Sequence, residues 1–230
     1  MKIRQSAGKT YAYLLGVYLG DGCITISGYT SIVFRLNTID LDFAEATADA
    51  LLDLTGKRPN IRRHSVKKGR DNHAMSHACK EICEVLKNDT EDKGTIPEYV
   101  FSWPDDLKKE FIIGLMDSEG FVAANSNKTG RRFYMGYKSC DIWVEDFIKI
   151  LQSVGIKIGK VSKEKPRKPW YKVPTRFHIK MQSWIDSGCR FNIARKQDRV
   201  DEWGETEPYS QRSLYPRKVS PETNMPNTAR

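Results

Sequence analysis

The stretch Leu14-Leu15-Gly16-Val17-Tyr18-Leu19-Gly20-Asp21-Gly22 has a second copy in kind, Ile112-Ile113-Gly114-Leu115-Met116-Asp117-Ser118-Glu119-Gly120, 98 residues further on. Both read apolar, apolar, Gly, apolar, apolar, any residue, small residue, acid, Gly. One copy describes an ordinary amphipathic helix with a glycine at its end. Two copies ask for a common reason. Glycine inside a helix costs roughly 1 kcal/mol relative to alanine. Gly16 and Gly20 are four apart, as are Gly114 and Ser118, so each pair forms a small face on its helix. Such faces let two backbones approach closely, which predicts that the two helices pack on each other. Each helix then ends in an acid, Asp21 or Glu119, where the helix dipole is negative and disfavours it by a few tenths to about 1 kcal/mol. Side by side, the acids also repel. A divalent cation offsets both penalties, and two carboxylates suit a hard ion. Metal held this way can activate water and stabilise the leaving oxygen of a phosphodiester.

The residues after each copy also correspond. Ser31-Ile32-Val33-Phe34-Arg35-Leu36-Asn37-Thr38 and Arg132-Phe133-Tyr134-Met135-Gly136-Tyr137-Lys138-Ser139 alternate apolar and polar, the pattern of a strand. A helix follows each. Phe43, Ala46, Ala50, Leu51 and Leu54 sit at helical spacing before Gly56, as do Phe147, Ile148, Leu151 and Val154 before Gly155; glycine just past the last periodic residue is a stop. Further strands are expected over Asn60–Val66 and Thr175–Gln182. Each half thus reads helix, strands, helix, strands, helix, with the seam near Asp89–Trp103. The polar, Pro-rich stretch 204–230 is expected to be a flexible tail.

Composition agrees with a globular chain. The 230 residues are 39% hydrophobic and 29% charged, and Lys+Arg outnumber Asp+Glu 38 to 29, a net +9 that favours a polyanionic partner. The apolar run Tyr11–Gly20 is half the roughly 20 residues a membrane helix needs and lacks a signal-peptide cleavage site. Five cysteines at irregular spacing argue for free thiols in a reducing, intracellular compartment. His73, His77, Cys79 and Cys83 fit no standard zinc finger, and burial explains them better. Ala7-Gly8-Lys9-Thr10 lacks the upstream glycine of a phosphate-binding loop, which would stand at Ile3.

The charge is segregated. Lys57–Arg70 holds seven basic residues and no acid: Lys57, Arg58, Arg62, Arg63, Lys67, Lys68 and Arg70. Lys157–Lys180 holds nine, among them Lys163, Lys165, Arg167 and Lys168, against Glu164 alone. Asp40, Asp42, Glu45, Asp49 and Asp53 load a helix with acid instead. In the last expected strand Phe177, Ile179 and Met181 point to the core, and Arg176, His178, Lys180 and Gln182 point out. Arg35, Asn37, Arg132 and Lys138 sit similarly on earlier strands. Such side chains suit base edges in a major groove that admits a β-ribbon, and the loop lysines suit phosphates. Trp170 and Tyr171 are expected to pack a hairpin.

The paired motifs resemble the LAGLIDADG homing endonucleases in their monomeric, two-motif form, over roughly residues 10–203. The resemblance implies an α/β (α+β) chain of two pseudo-symmetric αββαββα halves, residues 1–90 and 104–203, joined by 91–103. Two central helices pack through Gly16 and Gly114, and antiparallel sheets form a saddle over double-stranded DNA. It implies cleavage of both strands at a long target by a monomer, with Asp21 and Glu119 as ligands of Mg2+ (Mn2+ and Ca2+ fit the same sites) and water as nucleophile. Lys93, in Lys93-Gly94-Thr95-Ile96-Pro97, matches the family's Lys-x-x-Ile-Pro segment, and Lys196 holds the corresponding place in the second half; both would orient that water or stabilise phosphorane charge. Leu19 and Asp117, at the first acid position of the motif, are not expected to bind metal. The gene would be mobile, borne by an intron or free-standing, and expressed in the cytoplasm or an organelle. The alternative is a non-catalytic binder on the same fold, an RNA maturase acting on intron RNA or a DNA-binding regulator.

Overall fold

The computed structural model describes residues 8–27, 31–66, 70–127, 130–139, 143–164 and 173–205. Helix α1 (Gly8–Leu19) leads into β1 (Cys23–Ser27) and β2 (Ser31–Thr38), α2 (Leu41–Thr55), β3 (Ile61–Val66), β4 (Arg70–Ala78) and α3 (Lys80–Asp89). A 3-10 turn (Glu98–Ser102) precedes α4 (Asp105–Ser118). The order then repeats: β5 (Gly120–Asn127), β6 (Gly130–Ser139), α5 (Val144–Ser153), β7 (Ile158–Lys163), β8 (Thr175–Ile179), α6 (Met181–Asp186), and finally α7 (Ala194–Glu205). The strands form two four-stranded antiparallel sheets of the same topology, β1-β2-β4-β3 and β5-β6-β8-β7. The mixed α/β architecture expected from the sequence is therefore present, with α7 as an additional element.

The two motif helices make the most extensive contact between any two elements. A Cβ on Gly16 would run into the backbone carbonyl of Phe111 and lie 2.8 Å from the Leu115 nitrogen; one on Gly114 would run into the carbonyl of Tyr13 and lie 3.0 Å from the Val17 nitrogen. Backbone meets backbone, so no side chain fits at either place. Every residue of α1 from Tyr11 to Leu19 is buried, as a helix walled in on all sides must be. Gly20 lies one residue past the last helical residue rather than inside α1, though its N–H still bonds the Gly16 carbonyl at 3.1 Å.

The outer helices bury the sheets' inner faces. On α2, Phe43, Ala44, Thr47, Ala48, Ala50 and Leu51 are buried, and Gly56 ends the helix at φ 72°, a left-handed cap that glycine adopts without strain. In the first sheet Phe34, Leu36 and Met75 face the helices, and in the second Met135, Tyr137, Phe177 and Ile179 do. His73 and His77 lie on this inner side and are buried; His77 Nε2 bonds Thr55 Oγ1 at 3.0 Å, and the Cys79 and Cys83 sulfurs stand 3.5 Å apart as free thiols. Among the described residues no group of three or more His, Cys, Asp or Glu is assembled.

One strand ends earlier than the alternation suggests. β8 stops at Ile179, Lys180 caps α6, and Gln182 lies on that helix with its amide donating to Asp186 at 2.7 Å. Met181 and Trp184 are both buried, three apart, which is helical spacing that a short alternating run conceals. Ser183 Oγ fixes the turn by donating to the Lys180 carbonyl and accepting from the Lys157 N–H. The expected tail overlaps α7 at residues 204–205, and its remainder lies outside the described residues. Among the described residues no helix is long and apolar enough to cross a membrane.

Candidate metal centre and nucleic-acid interface

The close approach of α1 and α4 brings their C-terminal ends together. A Cβ on Gly20 would lie 2.6 Å from Ser118 Oγ and 3.6 Å from Glu119 Cγ. Asp21 follows Gly20, and Glu119 caps α4 with its N–H on the Leu115 carbonyl. The last carbonyls of any helix lack partners within it, and here each end receives a lysine. Lys93 Nζ donates to the Gly20 carbonyl at 2.6 Å and stands 5.3 Å from the centre of the Tyr18 ring. Lys196 Nζ donates to the Met116 and Asp117 carbonyls at 2.9 and 2.7 Å. Both lysines also act on Asp21. Crowding by protein atoms raises the Asp21 pKa, although its side chain reaches solvent; Lys196 and then Lys93 pull it back down, and Asp40 raises it. The sequence-derived acids and lysines are thus neighbours: Asp21 from the first half, Lys93 from the joining segment, and Glu119 and Lys196 from the second half.

The lysines are held differently. Lys93 sits on a backbone turn in which Glu91, Asp92 and Lys93 have φ of 48°, 55° and 72°. Left-handed conformations cost non-glycine residues of order 1 kcal/mol or more each and persist where the surroundings impose them. Here the Tyr18 hydroxyl donates to Asp92 at 3.0 Å, the Lys93 N–H donates to Thr90 Oγ1, and the Trp143 indole N–H donates to the Lys93 carbonyl at 3.1 Å. Lys196 is 3% exposed, and burial lowers its pKa to about 8 against the opposing pull of Asp117.

Asp117 is not expected to bind metal, and its side chain has other partners. It accepts from the Tyr13 hydroxyl at 3.2 Å and from the Asn192 N–H and side-chain amide at 3.2 and 3.0 Å. Burial raises its pKa to about 6, those bonds and Lys196 restraining the rise. Leu19 takes the equivalent place in α1 and is wholly buried.

Several positioning residues carry no motif. The Asp40 carboxylate receives Arg195 through two nitrogens, and Asp42 accepts the Ala194 N–H. These acids of α2 therefore tie down the start of α7, one residue from Lys196, and are not simply a solvated face. Their signal in the sequence is only an acid-rich helix start, 155 residues from Arg195.

On the outer faces, Arg35, Asn37 and Arg62 are exposed and share one side of the first sheet, since Arg62 and Asn37 both pair with Ala74. Arg63 is adjacent to Arg62 on the strand, so it faces the other way, opposite His73, and pairs with Asp71 at 2.6 Å. In the second sheet Arg132, Lys138, Arg176 and His178 lie on the outer side; Glu164 pairs with Lys138 at 2.8 Å and Arg176 at 3.3 Å. Lys163 pairs with Thr175 and so faces away from Arg176. Lys180 and Gln182 belong to the start of α6 rather than to the strand face. Lys67, Lys68, Lys165, Arg167, Lys168, Trp170 and Tyr171 lie outside the described residues, as does the side chain of Arg70.

No family model matches the chain. An uncharacterized protein of Methanocaldococcus jannaschii, MJ0398, is 29% identical over 115 residues, which are 50% of this chain and 40% of that relative, so the chain spans well under half of its length. Solved structures align more fully. I-DmoI in complex with DNA and Mn is 15% identical, covering 79% of this chain and 94% of its own, at a TM-score of 0.51. The homing endonuclease I-WcaI bound to its DNA recognition sequence is 11% identical over 84% of this chain and 85% of its own, at 0.55. Full-length DUF199/WhiA from Thermotoga maritima is 12% identical over 91% of this chain and 65% of its own, at 0.51. With its two motif helices in backbone contact between two like sheets, the chain has the LAGLIDADG homing-endonuclease fold in its single-chain, double-motif form.

Proposed function

We propose that the chain is a site-specific endonuclease that hydrolyses both strands of duplex DNA at a long target with a divalent metal. One observation carries this reading: Asp21 and Glu119 stand at the touching ends of α1 and α4, with Lys93 and Lys196 on the same helix ends. Two carboxylates beside helix-end carbonyls form a hard oxygen donor set that fits Mg2+, and Mn2+ or Ca2+ equally. When bound, such ions supply activation of water and stabilisation of the leaving oxygen. Asp21 and Glu119 would hold them, one acid from each half. Lys93 and Lys196 would hold positive charge beside the phosphates being cut, Lys93 at the end of α1 and Lys196 at the end of α4. Both halves come from one chain, so a monomer suffices. Residues 1–90 and 104–203 would each engage one half-site, joined by 91–103. The excess of cations and the exposed Arg35, Asn37 and Arg62 support duplex DNA as partner.

The test is cleavage of a plasmid library carrying randomised duplex inserts, with Mg2+ and with chelator. Metal-dependent cutting at a defined sequence is expected. Asp21→Asn and Glu119→Gln should each lower double-strand cleavage by at least about 100-fold while specific binding persists. Wild-type-like cutting by either variant would remove the proposed site. A second reading, a DNA-binding regulator that does not cut, rests on the likeness to DUF199/WhiA; tight sequence-specific binding without cleavage in any divalent ion would establish it instead.

A further inference from the structure

The outer faces of the two sheets share one backbone register and differ in chemistry. In the first sheet Cys23 pairs with Arg35, which pairs with Ser76, and Asn37 pairs with Ala74. In the second sheet Phe121 pairs with Gly136, which pairs with His178, and Lys138 pairs with Arg176. Position for position, then, Arg35 is replaced by Gly136, Ser76 by His178, Cys23 by Phe121, and Val33 by Tyr134. The missing side chain at Gly136 is filled by a ring: a Cβ there would lie 2.9 Å from Phe121 Cζ. Around it Phe121 meets Tyr134 edge-on at 6.0 Å between centroids and His178 edge-on at 6.2 Å, and Tyr134 and His178 stack at 6.1 Å. All three rings remain partly exposed. Two of the nearby cations are already engaged. Arg176 lies 5.7 Å from the centre of the Phe121 ring, and it and Lys138 share Glu164. Desolvation, with Arg176, Lys160 and Lys180 close by, lowers the His178 pKa and favours the uncharged imidazole. In the first sheet the Arg35 and Asn37 side chains have no hydrogen-bond or ion-pair partner among the described residues, and both are exposed.

We propose that the two sheets read their half-sites by different chemistry: the first through hydrogen bonds from Arg35 and Asn37 to base edges, the second through the apolar ring surface of Phe121 and Tyr134, which selects thymine by its methyl group. The inference rests on duplex DNA being the partner of both outer faces. Arginine and asparagine offer paired donors and acceptors that single out guanine and adenine, and apolar side chains meet the thymine methyl. With Arg176 and Lys138 tied to Glu164, the partly exposed rings of Phe121 and Tyr134 are left to meet a base. Phe121 and Tyr134 are thereby specificity-determining residues, and neither stands out in the sequence from the alternation of its strand.

The experiment enriches bound sequences from a randomised duplex pool and then replaces thymine by deoxyuridine, which removes only the methyl, in each half-site separately. The expected result is a preference of roughly 5- to 150-fold for particular purines at positions under the first sheet, lost in Arg35→Ala. Under the second sheet, conserved thymines should weaken binding several-fold when made deoxyuridine, and Phe121→Ala should abolish that sensitivity while Tyr134→Phe keeps it. The deoxyuridine duplex tests the wild-type protein, so the outcome holds even where Phe121→Ala fails to fold. A pool in which no sequence is enriched would defeat DNA recognition itself. An enriched target whose second half-site selects guanine or cytosine, or tolerates deoxyuridine throughout, would overturn this inference and leave DNA recognition standing.

Discussion

The two ends of the central helix pair share a backbone plan and differ in how they hold their lysines. At the end of α1, Leu19 is apolar and buried, and Lys93 is half-buried on a left-handed turn clamped by Tyr18 and Trp143. At the end of α4, Asp117 replaces Leu19, and Lys196 is almost wholly buried beside it on a regular helix. Both solutions bring an ammonium group to the last helix carbonyls. What the two ends share is the contact that cannot vary, backbone against backbone. What diverged is the scaffold behind each lysine, where several packings give the same charge at the same place.

The largest effect should come from breaking the shared part. Gly16→Leu or Gly114→Leu drives a side chain into a carbonyl of the facing helix. Overpacking of a core commonly costs about 1–3 kcal/mol, and a clash with rigid backbone should exceed that. Urea denaturation should show either variant severely destabilised or unfolded. Equal stability to wild type would mean the helices are further apart than described.

A smaller effect should separate the two ends. Asp40→Asn weakens the paired bonds to Arg195 behind Lys196, and Trp143→Phe removes the indole bond to the Lys93 carbonyl. Each should cost about 1 kcal/mol in a denaturant titration. If each lysine serves one strand, cleavage by the two variants should accumulate circles nicked on opposite strands. Identical strand preference in both would contradict the division of labour between the halves.

A further effect is electrostatic and belongs to the end of α4. Asp117 has its pKa raised to about 6 from 3.8. The folded state therefore holds a proton over that window more readily than the unfolded state, and this group adds stability as pH falls from about 6 towards 4. Asp117→Asn should remove that component from the difference in urea midpoints between pH 6 and pH 4. A variant with an unchanged pH profile would show that Asp117 titrates normally.

Much of the fold was legible because its signals are local. The glycines of the two motifs, the alternation over Ser31–Thr38 and the stop at Gly56 each act within a few residues. The end of β8 was not legible, because Phe177, Ile179 and Met181 satisfy a strand and a strand-to-helix junction alike. The site was legible in its charges, since an acid at a helix end needs an explanation, and both acids and both lysines do gather at the helix ends. The supporting contacts were hidden. Arg195 and Asp40 meet only after the whole chain has folded, and nothing around either residue marks the pairing. The outer faces were legible in charge but not in neutralisation: Glu164 reads as one acid among many bases until the sheet places it between Lys138 and Arg176.

The most direct test of the central claim is a crystal structure of the protein on its selected DNA duplex with Mn2+, its anomalous signal used to locate the ions. The touching helix ends should place manganese within direct coordination distance of both Asp21 and Glu119, against the phosphates to be cut. Manganese bound elsewhere, or carboxylates turned away from the DNA, would contradict it.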